Sequence, residues 1–151
     1  MSDNGYNVVA IDPGIKVAAW AKFSSTGTLF EAKLVKHETS EQTCQALLNV
    51  ANLVDIVVCE KMHVYGKKLY AGNHLIDISI MTGRLRPDFL YTYQQWAGSL
   101  KEEILWNRIM TRLSDKEKTV LPKSLGPHKD VLAAVGIGLH HFGRLKPNKG
   151  Y

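Results

Sequence analysis

Apolar positions in the first third of the chain come in short runs bounded by turn residues. "YNVVAID" and "KVAAWAKFSS" flank Pro13 and Gly14, and "TLFEAKLVKH" follows "STGT", so three consecutive strands joined by tight turns are predicted. At Thr39 the period changes. In "TSEQTCQALLNVANLV" apolar residues recur three and four apart, which predicts a helix capped by Thr39 or Ser40, with Gln42 in the capping-box position relative to Thr39. "DIVVCEKM" is a continuous apolar run ending in an acid, the pattern of a buried strand parallel to its neighbour, here the first strand. A basic and aromatic loop, "HVYGKKLYAGN", leads to an apolar helix, "HLIDISIMTGRL", and "DFLYTY" reads as a fifth strand. "SLKEEILWNRIMTRL" is amphipathic, with Glu102 and Glu103 in the opening turn, where the helix dipole favours acids. A polar linker, "SDKEKTVLPKSLGP", precedes a last helix, "KDVLAAVGIGLHH", whose Ala133, Ala134, Gly136 and Gly138 let another backbone come close.

The predicted order is three strands, helix, strand, helix, strand, helix, helix. An antiparallel meander followed by alternating strands and helices is the layout of the ribonuclease H-like fold, an α/β architecture with a mixed five-stranded sheet and helices on both faces. At 151 residues the chain is long enough for a real core and too short for two ordinary domains, so one domain spanning 1–151 is expected. No apolar run reaches the length of a membrane helix, and "MSDNGYNVVAID" lacks the basic-then-apolar layout of a secretory signal. A soluble cytoplasmic protein without membrane contact is therefore expected. Cys44 and Cys59 lack the close spacing of a metal knuckle or redox pair and read as buried thiols. A net charge of +5 favours a polyanionic partner.

Three acids stand out against this frame. Asp12 ends the first strand before Pro13 and Gly14, Glu60 ends "VVCE", and Asp130 opens the small-residue helix. Alone, "DPG" is an Asx-type turn and Glu60 an ordinary strand-ending acid. Together, acids at the tips of two adjacent strands and at the start of a close-packing helix can converge on one point. Converging carboxylates repel unless cations lie between them, and hard oxygen ligands suit Mg²⁺ or Mn²⁺. The chemistry such a set supports is two-metal phosphodiester hydrolysis.

"AIDPGIKVAAWA", "VVCEKMHVYGKKLYAGNHLIDISIMTGRL" and "HKDVLAAVGIGLHH", taken in order, resemble the RuvC-like Holliday junction resolvases, especially the short bacteriophage-type members, from about Val8 to His141. By position, the resemblance makes Asp12 the first-strand metal ligand and Glu60 the second acid. The family's last helix typically carries two aspartates three residues apart, which puts Asp130 at the first and Ala133 at the second. Ala133 then stands where a catalytic carboxylate is expected, and the chain is either an inactivated variant or a binder that has lost catalysis. A shifted register would make Asp130 the second acid and let His128 stand in for the first.

The resemblance also implies four-way or branched DNA as partner, a homodimer through "HLIDISIMTGRL", and Mg²⁺ or Mn²⁺ as cofactor. After Glu60, the cations Lys61, Lys67 and Lys68 can meet phosphates and Tyr65 can stack on or wedge between bases. Lys16, after "DPG", and Lys101, after "WAGS", are further DNA candidates; Arg84, Arg86 and Lys123 are weaker ones. His128 and His141 are candidate general bases whose ordinary alternative is a cap or core position. The expected function is a metal-dependent junction endonuclease, with a non-cleaving junction binder or a nuclease acting on another branched or hybrid substrate as the alternatives. Sugar kinases and actin-like ATPases also place an acid and glycine after a first strand, but this chain is too short for their second domain.

Overall fold

The computed structural model describes residues 7–62 and 72–145. Five strands, β1 (Val8–Asp12), β2 (Val17–Phe23), β3 (Leu29–Lys36), β4 (Ile56–Lys61) and β5 (Phe89–Thr92), form one sheet in the order β3-β2-β1-β4-β5. β1, β2 and β3 pair antiparallel as a meander, while β4 joins β1 and β5 joins β4 in parallel. The sheet is the mixed five-stranded one expected, with β1 and β4 side by side at its centre.

Among the described residues six helices accompany it: α1 (Ser40–Ala51), α2 (Gly72–Leu85), α3 (Tyr93–Trp96), α4 (Glu102–Thr111), α5 (Asp115–Lys118) and α6 (Asp130–His141). Side chains of a strand alternate between faces, and the sheet divides its core accordingly. Val9, Ile11, Val57 and Cys59 pack with Cys44 and Leu47 of α1 and Met81 and Leu85 of α2. Val8, Ala10, Ala19 and Val58 pack on the opposite face with α6, together with Trp96, Leu105 and Ile109. Helices thus cover both faces, and both cysteines are buried thiols.

α6 is the tightest element. Val131 to Leu139 are all buried, and its glycines are seats for aromatic rings. A Cβ on Gly138 would overlap the Phe23 ring, and one on Gly136 would lie 2.7 Å from the Trp96 ring. The N-cap of α1 is Thr39, with Gln42 completing the capping box. α3 and α5 were not among the predicted elements: Tyr93 opens a helical turn where "DFLYTY" predicts continued strand, and the linker predicted as polar contains α5. Each of these turns carries a capping box, Thr92 with Gln95 and Ser114 with Glu117, which overrides the extended or irregular reading of its neighbours.

Candidate active site

Asp12 and Glu60 reach the same side of the sheet for the same reason. Val8 and Ala10 face α6 on β1, so Asp12, two residues on, does too; Val58 faces α6 on β4, and Glu60 follows it. Pairing of Ala10 with Val58 and Ile11 with Cys59 makes Asp12 and Glu60 the next rung of the ladder. Beyond Asp12 the chain turns so tightly that a Cβ on Gly14 would overlap the carbonyl of Val17. That fold-back keeps the tip of β1 open.

Asp130 arrives from the other side as the first residue of α6, where unpaired backbone N–H groups favour an acid. The preceding Lys129 is left-handed (φ 57°) and gives no side-chain cap. Gly126, at φ +96°, lies against the carboxyl group, and a Cβ there would overlap Oδ2 of Asp130. That oxygen is buried and has no hydrogen-bond partner.

The electrostatics register the convergence. Burial, then the charge of Glu60, then that of Asp130 push the Asp12 carboxyl well above the usual carboxylate range. Burial also raises Glu60, tempered by a hydrogen bond that Trp96 Nε1–H donates to its Oε1 at 2.9 Å. Among the described residues, no three His, Cys, Asp or Glu side chains are gathered into a ready-made cation cage. Carboxylates close enough to feel one another's charge repel, and a cation between them would relieve that repulsion. The donors fit a hard divalent ion: all are carboxylates, and one buried oxygen has nothing else to bind.

Asp12 and Asp130 line an open cleft of about 550 Å³ with Lys16, Ile78, Pro127 and His128. Lys16 is exposed on its rim, its carbonyl held by the N–H of His37 at 2.9 Å. Ala133 lies in the core on the α6 side and keeps 8% of its surface, whereas Ala134 and Val135 keep none. Lys61, one residue past Glu60, falls on the opposite face of β4 and lines a groove with Met62, Ser79, Thr82 and Leu90, away from the acids. Lys101 is the exposed N-cap of α4. Tyr65, Lys67 and Lys68 lie outside the described residues. Arg84 meets Glu41 at 3.3 Å, joining α2 to α1. His141 is at the far end of α6 from Asp130, about 16 Å along the helix axis, and its Nδ1 bonds the Tyr91 hydroxyl at 2.9 Å. That sets it apart from Asp130 and gives it a packing role against Phe89 and Tyr91.

Two residues beside the acids were not singled out from the sequence. Trp96 touches Glu60 directly, and Tyr93 stands edge-on to Trp96 with centroids 5.2 Å apart. Burial, then the charges of Glu102 and Glu60, raise the Tyr93 hydroxyl. The available signal was the capping box Thr92-x-x-Gln95, which turns the chain at the tip of β5 and swings Trp96 back over the sheet.

No family model and no curated protein matches this chain. Solved structures do. Thermus thermophilus RuvC in complex with a Holliday junction substrate superposes with a TM-score of 0.55 at 15% identity, covering 89% of this chain and 92% of that one. The fowlpox virus resolvase in complex with Holliday junction DNA gives 0.57 at 14% identity, over 92% of this chain and 98% of that one. The chain has the RuvC-like resolvase fold. A second Thermus thermophilus RuvC structure agrees, with a TM-score of 0.51 at 18% identity over 94% of this chain and 99% of that one. The RuvC-like fold is therefore a likeness of backbone course along nearly the whole chain, with little of the sequence in common.

Proposed function

We propose that this chain is a structure-selective endodeoxyribonuclease that cuts four-way DNA junctions, a single domain spanning 1–151 that acts as a homodimer. What supports the reading is Asp12 at the tip of a central strand, with Glu60 on the next rung of β4 and Asp130 lining the same cleft. Asp12, Glu60 and Asp130 would hold Mg²⁺ or Mn²⁺. When bound there, such ions lower the pKa of an attacking water and stabilise the leaving 3′ oxygen. The protein's own part is to set Glu60 and Asp130 close enough to Asp12 for their charges to act on it, keep Asp130 Oδ2 free of other partners, and leave a cleft open beside Asp12 and Asp130. Lys16 on the cleft rim would meet the DNA backbone, with Lys61, Tyr65, Lys67, Lys68 and Lys101 as further contacts. Two copies give two dyad-related sites, which suits paired cuts across a symmetric junction; exposed Ile76 and Ile80 on α2 support pairing through that helix.

Ala133 takes the place of a fourth carboxylate and impairs cleavage. A second reading is favoured by one observation: His128 lines the same cleft as Asp12 and Asp130, so the fourth ligand would precede the helix.

The test is binding and cleavage of a mobile four-way junction, a linear duplex and an RNA–DNA hybrid in Mg²⁺ or Mn²⁺, using the parent, Ala133→Asp and His128→Ala. We expect junction preference, steeply weakened by salt because phosphate contacts release counterions, and a gain of orders of magnitude in cleavage for Ala133→Asp. A parent that already cuts, with the cut lost in His128→Ala, assigns the place to His128. Equal affinity for junction and duplex, with no cleavage by any of the three, overturns the nuclease reading.

A further inference from the structure

Trp96 is 1% exposed, yet the group its indole N–H meets is an acid near the end of β4 and not a core carbonyl. A buried tryptophan needs an acceptor for that N–H, and almost any backbone oxygen would serve. Desolvating a carboxylate to provide one costs more than the single hydrogen bond returns. The arrangement is better explained from the side of Glu60, and it is built from three separate elements. The capping box of Thr92 and Gln95 sets α3. Gly136 of α6 leaves room for the ring, since a Cβ there would come within 2.7 Å of the six-membered ring and 2.8 Å of Ile109 Cδ1. β4 delivers Glu60 to the indole at 2.9 Å.

We propose that Trp96 is a positioning residue for the cation site, holding Oε1 of Glu60 so that the other carboxylate oxygen faces Asp12. This rests on the nuclease reading above and adds the group that orients its second acid. An indole is suited to the task because it donates one hydrogen bond, carries no charge and has no lone pair to offer a metal. A lysine or arginine there would pair with Glu60 and compete with the cation. The indole fixes the carboxylate and leaves its negative charge in place. Partners of this kind behind a metal ligand are commonly worth 10- to 100-fold in affinity.

The test has two arms, both read without turnover. In the first, Mn²⁺ is titrated calorimetrically into the parent and Trp96→Phe, which keeps the ring and loses the donor. We expect saturable binding by the parent, weakened roughly 10-fold or more in Trp96→Phe. The second arm covers the case in which Trp96→Phe does not fold. Of the three tryptophans, Trp20 and Trp106 are replaced by Phe, and the emission of Trp96 is followed as Mg²⁺ is added. We expect a saturable change that disappears when Glu60→Gln is added. A parent that binds Mn²⁺ while folded Trp96→Phe binds it equally well, or a Trp96 emission blind to Mg²⁺ in a chain that binds it, overturns the role of Trp96 alone. A parent without saturable Mn²⁺ binding overturns the cation site itself and this proposal with it.

Discussion

Glu117 is a buried acid and Asp12 a half-buried one, and the protein treats them in opposite ways. Glu117, 4% exposed, is surrounded by donors. Its carboxylate accepts from both guanidinium nitrogens of Arg144 at 2.7 and 2.8 Å, from the N–H of Leu29 at 2.8 Å and from that of Ser114 at 2.9 Å. Arg144 also donates to the carbonyls of Gly27 and Arg112. Burial alone would push Glu117 up, but these donors outweigh it and leave the carboxyl at about 2. Asp12 has burial acting in the same direction and acids where Glu117 has an arginine, so its carboxyl moves up. The first arrangement closes on itself and staples the β2–β3 turn, the start of β3, α5 and the segment after α6. In the second, the charges of Glu60 and Asp130 add to the effect of burial instead of opposing it. On the function proposed above, the contrast separates an acid that serves the fold from one that would serve a ligand.

Breaking the closed arrangement should have the largest effect. Arg144→Met leaves Glu117 buried without its cation, and the loss of stability by denaturant melting should be roughly 3–5 kcal/mol. A loss under about 1 kcal/mol would mean that the two acids are not so different. Next comes the wall behind Asp130. Gly126→Ala forces a side chain into a left-handed backbone and onto Oδ2 of Asp130, and should cost about 1–3 kcal/mol while weakening Mg²⁺ binding. An unchanged Mg²⁺ affinity would show that the seat of Asp130 is not tied to the site.

The two acids should also differ in their pH dependence. Glu117 is depressed from 4.5 to about 2, so its contribution is present above the unfolded pKa and is lost as pH falls through that interval. Asp12 and Glu60 are raised, so their contribution is present below the unfolded values and is lost as pH rises through the folded ones. His140 and His141, lowered from 6.5 chiefly by burial, favour the folded state as pH rises. The clean reading is therefore the difference between the parent and Asp12→Asn. In EDTA, that gap should widen in favour of Asp12→Asn as pH rises above about 4, by on the order of 1 kcal/mol for each pH step until the folded carboxyl ionises. A gap constant across this range would contradict the raised Asp12.

The order of all five strands and the four longer helices was legible because each rests on local signals: period-2 or continuous apolar runs, the period change at Thr39, and the Thr39–Gln42 box. The shared face of Asp12 and Glu60 follows from the same signals, because alternation along two adjacent parallel strands fixes it once Ala10 and Val58 pair. The same alternation carries Lys61 away from the acids, a consequence that proximity in sequence to Glu60 conceals. Glu117 reads as one more charge in a polar linker because its partner Arg144 is 27 residues away. Trp96 lay hidden for the same reason, with Glu60 36 residues distant. A helix start can slip by a residue or two in sequence without any local signal changing, which is why Ala133 and His128 compete for one role.

The central claim, that Asp12, Glu60 and Asp130 form a site awaiting a cation, is tested most directly by the melting temperatures of the parent and Asp12→Asn at pH 8, first in EDTA and then in saturating Mg²⁺. In EDTA, Asp12→Asn should melt a few degrees above the parent, at roughly 2–4 °C per kcal/mol for a chain of this size. Mg²⁺ at about 100 times its Kd should then raise the parent by about 2.7 kcal/mol and shift the balance toward it by that amount, leaving Asp12→Asn nearly unmoved. A parent already the more stable in EDTA, or two proteins stabilised equally by Mg²⁺, would contradict the account.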